Sequence, residues 1–316
     1  MLAGALTPAT WLWRGGSLLR WRLIKPTTPP CPVICVGNLT MGGVGKTPLV
    51  AALAEVAREA GKTPVILSLG YGGRQRTPHQ VGDGDTVDLV GDEALELFGV
   101  KNKAKQNIVV IAKPRLAGLG LASRLGDLII MDDGFQNPSI TPTRSVLVFD
   151  GTRGIGNGRV IPAGPMREGF AQGIQRASHG VVIGADKTGL SKRIASIAPH
   201  IRLTKAEKTL TKQAQAVIAK TPLLAFAGIG NPQNFFDLVA ATGGQIEARY
   251  PFPDHHPYSQ HELDGLMAVA QKHNLTPVTT MKDYMRLPKP FRPHITPLGM
   301  GLVIDKAFCQ SVLFGA

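Results

Sequence analysis

Residues 33–47 read VICVGNLTMGGVGKT, and this stretch decides which kind of fold the chain can form. A short apolar run is followed by glycines and then by Gly-Lys-Thr, the order of a buried strand, a flexible turn and the start of a helix. Glycines let backbone N–H groups turn toward an anion, and the new helix adds unpaired N–H groups and the positive end of its dipole. The stretch therefore predicts a phosphate-binding loop.

Individual residues of this loop suit a nucleotide. Lys46 can reach the β- and γ-phosphates, and the Thr47 hydroxyl can ligate Mg²⁺. Thr40 stands where such loops usually begin with glycine. The alternative is a strand–helix turn that binds nothing, but the helix predicted over residues 48–60 favours phosphate binding. We expect ATP or GTP to contact Thr40, Met41, Gly42, Gly43, Val44, Gly45, Lys46 and Thr47.

The composition is that of an α/β enzyme with an anionic partner. The chain has 316 residues and a formal net charge of +13. Such a charge indicates nucleic acid, an anionic membrane or a phosphorylated substrate, and does not choose among them. The three cysteines form no CxxC pair, which favours a reducing compartment.

The first 25 residues contain all three tryptophans, and no acidic residue precedes Glu55. A helix beginning at Thr7 would set Trp11 and Trp21 beside basic side chains, a combination that suits a lipid headgroup layer. No run of about eighteen apolar residues exists, so the segment is not predicted to span a membrane. The alternative is a helix packed on the protein's own core.

Strand and helix signals alternate along the rest of the chain, which predicts a mostly parallel sheet. Strands are predicted near residues 64–69, 108–112, 128–132, 145–150 and 180–184, and again near 223–227, 245–250 and 277–280. The polar segment 201–210 separates the two blocks. We therefore predict a P-loop NTPase-type α/β/α domain with a second, smaller α/β domain: residues 1–200 (the N-terminal helix and the kinase domain), a linker at 201–210, and residues 211–316 closing over the cleft.

Two carboxylates, Asp132 and Asp133, end the most apolar predicted strand. In phosphate-loop folds, a carboxylate at the tip of a neighbouring strand holds Mg²⁺. Adjacent strand residues point to opposite faces, so the two acids should have different roles, and the residues alone leave open which one meets the metal. A solvated Asp-Asp-Gly turn is the alternative.

Two further polar runs have ordinary explanations when each is taken alone. Asp92 and Glu93 can be the cap and first-turn acid of a helix. The run Asp254-His255-His256 lacks a third spaced ligand for zinc, and an Asp–His pair could instead tune proton transfer. Only their meeting across a cleft would make them a catalytic site.

Taken together, the motifs of this chain resemble those of the tetraacyldisaccharide 4′-kinase (lipid A 4′-kinase) family of Gram-negative bacteria. They occur in family order over residues 30–290. The matching segments are VGNLT (36–40), GGVGKT (42–47), SLGYG (68–72), GDE (91–93), DDGFQ (132–136), GNGR (156–159), PAGPMRE (162–168), AGIGNP (227–232), FPDHH (252–256), TT (279–280) and KDY (282–284).

This resemblance implies roles for individual residues. The aspartate matching Asp92 is the general base for the substrate hydroxyl, and the match to His255 supports it. Lys46 and Asp133 complete the expected catalytic set. The expected metal ligands are Thr47, Glu93 and Asp132, and the expected substrate-binding residues are Arg167, Gln136 and Asn157.

The resemblance also implies partners and a location. The expected reaction uses ATP and Mg²⁺ to phosphorylate the 4′-hydroxyl of a lipid A disaccharide 1-phosphate precursor. The expected place is the cytoplasmic face of the bacterial inner membrane, as a peripheral protein, with no nucleic acid and no protein partner. A GTP-driven switch is disfavoured because no Asn-Lys-x-Asp motif occurs, and a nucleic-acid-binding ATPase because no recognition motif occurs.

Overall fold

The computed structural model describes residues 7–99, 101–102 and 105–315. Its strands are β1 (Val33–Gly37), β2 (Pro64–Ser68), β3 (His79–Gln80), β4 (Lys101–Asn102), β5 (Lys105–Gln106), β6 (Ile108–Ile111), β7 (Leu128–Asp132), β8 (Arg144–Asp150), β9 (His179–Ile183), β10 (Arg202–Leu210), β11 (Leu223–Ala227), β12 (Ile246–Pro251), β13 (Thr276–Thr280), β14 (Thr296–Leu298) and β15 (Met300–Ile304).

The helices pack on both faces of two sheets. They are α1 (Thr7–Leu23), α2 (Lys46–Glu59), α3 (Val87–Val90), α4 (Asp92–Gly99), α5 (Arg115–Leu125), α6 (Phe170–Ile174), α7 (Leu190–Ile197), α8 (Lys212–Ile218), α9 (Pro232–Ala241), α10 (Gln260–Lys272), α11 (Met281–Arg286) and α12 (Lys306–Phe314), with a 3₁₀ turn at Lys289–His294.

Over these described ranges, the larger sheet has nine strands in the order β15-β10-β9-β8-β1-β7-β2-β6-β3. All its neighbours are parallel except β15 against β10 and β3 against β6. The smaller sheet is parallel, in the order β12-β11-β13-β14. The predicted fold class is therefore confirmed.

The central strand β1 shows why the larger sheet is covered on both faces. Its five residues are all buried. Ile34 and Val36 join the core that includes α2 and α12, while Val33 and Cys35 join the core that includes α5 and α7. Successive strand residues point to opposite faces, so a strand buried on both sides is apolar throughout. The phosphate loop therefore begins at the end of a fixed, central strand.

Two segments pair differently from the sequence-based expectation. Residues 202–210, expected to form a connection, are strand β10 of the larger sheet, paired with β9 and β15. We call the nine-stranded sheet with its helices the larger unit and the four-stranded sheet with its helices the smaller unit. After β10 the chain builds the smaller unit and then returns, so that β15 and α12 pack on the larger unit. An exposed, lysine-rich strand near a sheet edge carries the same polar pattern as a loop. The domain boundaries at residues 200 and 211 stay a prediction.

Helix α1 lies on the surface of the larger unit and continues through Gly15 and Gly16. The Trp13 Nε1–H donates to the Arg167 carbonyl oxygen at 3.0 Å, so one side of the helix contacts the protein. Elsewhere on the same helix, Trp11 is 70% and Leu23 is 71% exposed. Across the described ranges, no helix has the length and apolar character needed to cross a bilayer.

Candidate active site

The phosphate loop joins β1 to α2, as the sequence predicts. Gly45 precedes the helix with φ of 94°, a left-handed conformation that favours glycine. The next residue, Lys46, opens α2, and its Nζ donates to Asn38 Oδ1 at 3.1 Å. The Asn38 Nδ2 donates to the Thr40 carbonyl oxygen at 2.6 Å. Asn38, fully buried, thus fixes both the start of the loop and the position of its lysine.

A second segment packs against this loop and brings one cation, Arg167, to it. The Met41 N–H donates to the Pro165 carbonyl oxygen at 2.7 Å, and the Arg167 N–H donates to Leu39 O at 2.7 Å. Through its side chain, Arg167 donates to both oxygens of Asp133, at 2.9 and 3.0 Å. This pairing across distant parts of the chain puts Arg167 beside the loop.

The other two predicted substrate residues lie in different surroundings. Gln136 accepts from Arg167 Nη1 at 3.2 Å and donates to the Asn38 carbonyl oxygen at 3.0 Å, so it belongs to the loop region. Asn157 instead donates to the Ala163 carbonyl oxygen and accepts from the Arg159 N–H, which shapes its own turn.

The two strand-end acids have opposite electrostatic environments. Burial raises the pKa of Asp133, but the positive charges of Lys46 and Arg167 outweigh it, and the pKa lies below its ordinary value. Burial raises the pKa of Asp132 to about 7, helped by the negative charges of Glu93 and Asp133. The Asp132 Oδ1 is buried without a hydrogen-bond partner. Lys46 and Arg167 therefore offset the charge of Asp133, whereas Asp132 has an oxygen without a hydrogen-bond partner.

Asp92 begins helix α4 and is 5% exposed. Gly91 before it has φ of 88°, and a Cβ there would collide with the Tyr71 carbonyl oxygen. This close packing fixes the direction in which α4 starts. The Asp92 Oδ1 caps the helix by accepting from the Glu93 N–H at 2.9 Å. The other oxygen, Oδ2, points toward the smaller unit.

Four side chains meet where the two units touch, and we call this cluster the Asp92 junction: Asp92, His255, Lys282 and Arg286. The Asp92 Oδ2 lies 2.5 Å from Arg286 Nη2, 3.4 Å from His255 Nδ1 and 3.6 Å from Lys282 Nζ. The structure thus brings together the carboxylate and the imidazole that the sequence could pair only by resemblance.

The charge state of Asp92 follows from this surrounding. Burial acts to raise the pKa of Asp92, but the hydrogen bond from Arg286 and the charges of Lys282, Arg286 and His255 outweigh it. The pKa lies below its ordinary value. At neutral pH the carboxylate is ionised and can accept a proton.

Sequence reasoning did not identify two residues of this region. Arg286 lies outside the motifs, although it is one helical turn beyond Lys282 on the same face of α11. Glu96 lies one turn beyond Asp92 on α4, and burial raises its pKa to about 7, with Lys282 acting in the opposite direction and Glu93 and Asp92 adding to the rise. Helical spacing from a motif residue was the available signal for both.

The run Asp254-His255-His256 does not form a zinc site with its neighbours. His256 Nε2 lies 3.0 Å from Glu262 Oε1, and its ring stacks on Phe252 at 4.8 Å between centroids. His255 faces Asp92 instead. In the part of the chain that the structure describes, no three His, Cys, Asp or Glu side chains form a group that could hold a metal ion.

A glycine-rich loop between a central parallel strand and a helix, with carboxylates on the adjacent strand, defines a P-loop nucleotide-binding protein. The family model described as tetraacyldisaccharide-1-P 4′-kinase matches residues 2–314. The chain belongs to this family, and its activity is that of an ATP-dependent 4′-kinase of lipid A biosynthesis.

Curated relatives agree with this membership. The tetraacyldisaccharide 4′-kinase of Rhodospirillum centenum is 40% identical over 308 residues, covering 97% of this chain and 89% of the relative. That of Bradyrhizobium sp. (strain BTAi1) is 43% identical over 258 residues, covering 81% and 73%. The solved structure of LpxK from Aquifex aeolicus in complex with ATP covers 99% of this chain and 100% of its own, with a TM-score of 0.75 and 23% identity, and shows the same fold.

Proposed function

We propose that the Asp92 junction is the catalytic centre at which the 4′-hydroxyl of a tetraacylated disaccharide 1-phosphate attacks the γ-phosphate of ATP. The observation that carries this proposal is the contact between Asp92 of the larger unit and His255 of the smaller unit, 3.4 Å apart. A sugar hydroxyl is a poor nucleophile at neutral pH, so a carboxylate must take its proton as the P–O bond forms.

The proposed site has two halves, and each half has its own task in the reaction. Lys46 and the backbone N–H groups of the phosphate loop hold the nucleotide and neutralise its charge. Arg167, balanced by Asp133, supplies a second cation next to that loop. Asp92 accepts the proton of the hydroxyl, and His255 keeps the carboxylate in place. Contact between the two units excludes water that would otherwise hydrolyse ATP.

Mg²⁺ fits the oxygen ligands at the edge of β7. Asp132 has a buried, unpaired oxygen and a raised pKa, the features of a carboxylate that lacks its cation. We propose that Asp132, Thr47 and Glu93 hold the ion, which when bound neutralises charge on the phosphates. Few protein ligands are needed, because Mg²⁺ usually keeps waters and phosphate oxygens in its shell.

We further propose that α1 attaches the protein to the cytoplasmic face of the inner membrane. Trp11 and Leu23 are about 70% exposed, and Arg20, Arg22 and Lys25 lie along the same segment. Exposed indole and leucine side chains enter the interfacial layer, while the cations meet lipid phosphates. Because Trp13 contacts the Arg167 carbonyl oxygen, the same helix would bring a lipid substrate close to the phosphate loop.

The test of the catalytic proposal is direct. The protein is incubated with ATP labelled at the γ-phosphate and a tetraacylated disaccharide 1-phosphate, and the lipids are separated. We expect a labelled bisphosphorylated lipid from the wild type and about 10²- to 10⁴-fold slower formation by Asp92→Asn. Unchanged turnover in Asp92→Asn would remove this residue from the mechanism.

The membrane proposal has its own test. Vesicles containing anionic lipid are sedimented with three proteins: the wild type, a first variant with Trp11→Ser and Leu23→Ser, and a control variant with Val303→Ser. Val303 is also exposed but lies on strand β15. We expect only the first variant to lose binding. Equal sedimentation of all three would refute attachment through α1.

A further inference from the structure

Arg286 is held rigidly by its own unit. Its Nη1 donates to the Gly228 carbonyl oxygen at 3.1 Å and lies 3.3 Å from Asp283 Oδ1. Asp283 is fully buried and is fixed in turn, because Thr280 Oγ1 donates to its Oδ2 at 2.7 Å and the Gly228 N–H donates to it at 3.1 Å. Contacts within the smaller unit therefore anchor one edge of the guanidinium, independently of the contacts that the other edge makes.

The other edge of the guanidinium joins the two proposed catalytic groups. Arg286 Nη2 donates to Asp92 Oδ2 at 2.5 Å and lies 3.1 Å from His255 Nδ1. A guanidinium can only donate, so Nδ1 is the acceptor in this contact. Lys282 Nζ, which also can only donate, lies 3.5 Å from His255 Nε2. Arg286 supplies the hydrogen bonds that hold both.

The backbone of His255 depends on the same support. Its φ is 59°, a left-handed conformation that is uncommon outside glycine. The His255 N–H donates to the Gly228 carbonyl oxygen at 3.1 Å, the same oxygen that accepts from Arg286 Nη1. Arg286 thus contacts both the imidazole of His255 and the carbonyl group that anchors its main chain.

Stability alone is a weak reason for such a contact. The Arg286 and Asp92 side chains are 9% and 7% exposed, and withdrawing two charges from water offsets much of their attraction. The bond joins residues 194 positions apart, at the one carboxylate oxygen that faces His255. We infer that Arg286 is a positioning residue that aligns Asp92 with His255 across the two units; this inference rests on the proposed function of those two residues.

Steady-state kinetics of the full-length protein test the inference. We expect Arg286→Gln to lower kcat about 10²-fold with KM for ATP within about two-fold, and Arg286→Lys to recover about ten-fold of that loss. Arg292→Gln is the matched control: Arg292 donates to the Leu287 and Met285 carbonyl oxygens of the same unit and is not one of the four residues of the Asp92 junction. Its kcat should stay within about three-fold of the wild type.

Two kinetic outcomes would overturn the inference. One is a kcat for Arg286→Gln within about two-fold of the wild type, and the other is an equal loss in Arg292→Gln, which would indicate general damage to the smaller unit. If Arg286→Gln does not fold, Arg286→Lys decides instead. In that variant we expect a kcat about ten-fold below the wild type with an unchanged thermal unfolding midpoint.

A spectroscopic measurement separates this inference from the proposed function. Protein labelled with ¹⁵N-histidine reports the tautomer of each imidazole, and a His255→Asn sample assigns the signal. We expect the Nδ1 shift of His255 to change in Arg286→Gln and to stay as in the wild type in Arg292→Gln, because Arg286 contacts Nδ1. An identical His255 signal in Arg286→Gln would refute the positioning role, whether or not the wild type phosphorylates the lipid.

Discussion

The phosphate-loop half of the site and the Asp92 junction are built in different ways. The first is made by a contiguous segment, residues 38–47, whose glycines and helix start carry the required geometry within themselves. The second is assembled from three separate elements: α4, the loop that precedes α10, and α11. Their side chains meet where the two units are in contact. Local sequence can therefore encode a phosphate loop, whereas the Asp92 junction depends on how the two units pack.

The largest expected effect tests the half that is encoded locally. Lys46→Met removes the cation that Asn38 and Asp133 hold over the loop. We expect kcat to fall by about 10³-fold or more, because the charge on the transferring phosphoryl group loses its fixed partner. Initial rates at saturating ATP measure this. Lys62→Met is the control, since Lys62 pairs with Asp127 on the exposed surface, and its rates should match the wild type.

The next effect tests the assembled half. His255→Asn should lower kcat about 10²-fold and leave KM for ATP within about two-fold, because the imidazole contacts the base and not the loop. Its neighbour gives a matched control: His256 contacts Glu262 within the smaller unit, so His256→Asn should keep most of the activity. Equal losses of kcat in His255→Asn and His256→Asn would mean that activity depends on the fold of the loop that holds both histidines and not on the Asp92 junction.

A pH experiment tests the free energy of unfolding separately from the two halves of the site. Burial, with the charges of Arg144 and Arg202, lowers the pKa of His179 from 6.5 to about 4. The folded state therefore favours neutral His179, while the unfolded chain takes up a proton below pH 6.5. The free energy of unfolding should fall by about 2–3 kcal/mol as the pH drops from 6.5 to 4.

Denaturant titrations of the wild type and of His179→Gln across that range measure this contribution as a difference. In His179→Gln the free energy of unfolding should decline by about 2–3 kcal/mol less than in the wild type over this pH range. Turnover per folded molecule at pH 7.5 should stay the same. Parallel pH curves for the two proteins would show that His179 does not carry the dependence.

The smallest expected effect links the backbone to the Asp92 junction. Gly91→Ala places a Cβ against the Tyr71 carbonyl oxygen, so α4 must shift and Asp92 with it. We expect a destabilisation of about 2 kcal/mol and a lower kcat. Gly61→Ala is the control: Gly61 also has positive φ, but the space around it is open. If both variants lose only stability, the start of α4 does not align the base.

Residues with one strong local signal were predicted correctly from the sequence. The glycines and Lys46 gave the phosphate loop, and the apolar run before Asp132 gave a buried strand next to β1. The segment 202–210 gave no strand signal, because a strand with partners on both sides need not be apolar when its faces are half exposed. Arg286 was missed because its one local signal, the helical spacing from Lys282, does not indicate a partner 194 positions away.

The order of apolar strand, glycine turn and helix start in the amino-acid sequence determined that this chain has a phosphate loop, because those features act over a few bonds and need no distant partner. The tertiary structure alone decided that Asp92 meets His255 through Arg286, since charged side chains on separate elements become neighbours only when two sheets pack together. Backbone geometry is a short-range property, and the alignment of Asp92 with His255 and Arg286 is a long-range one.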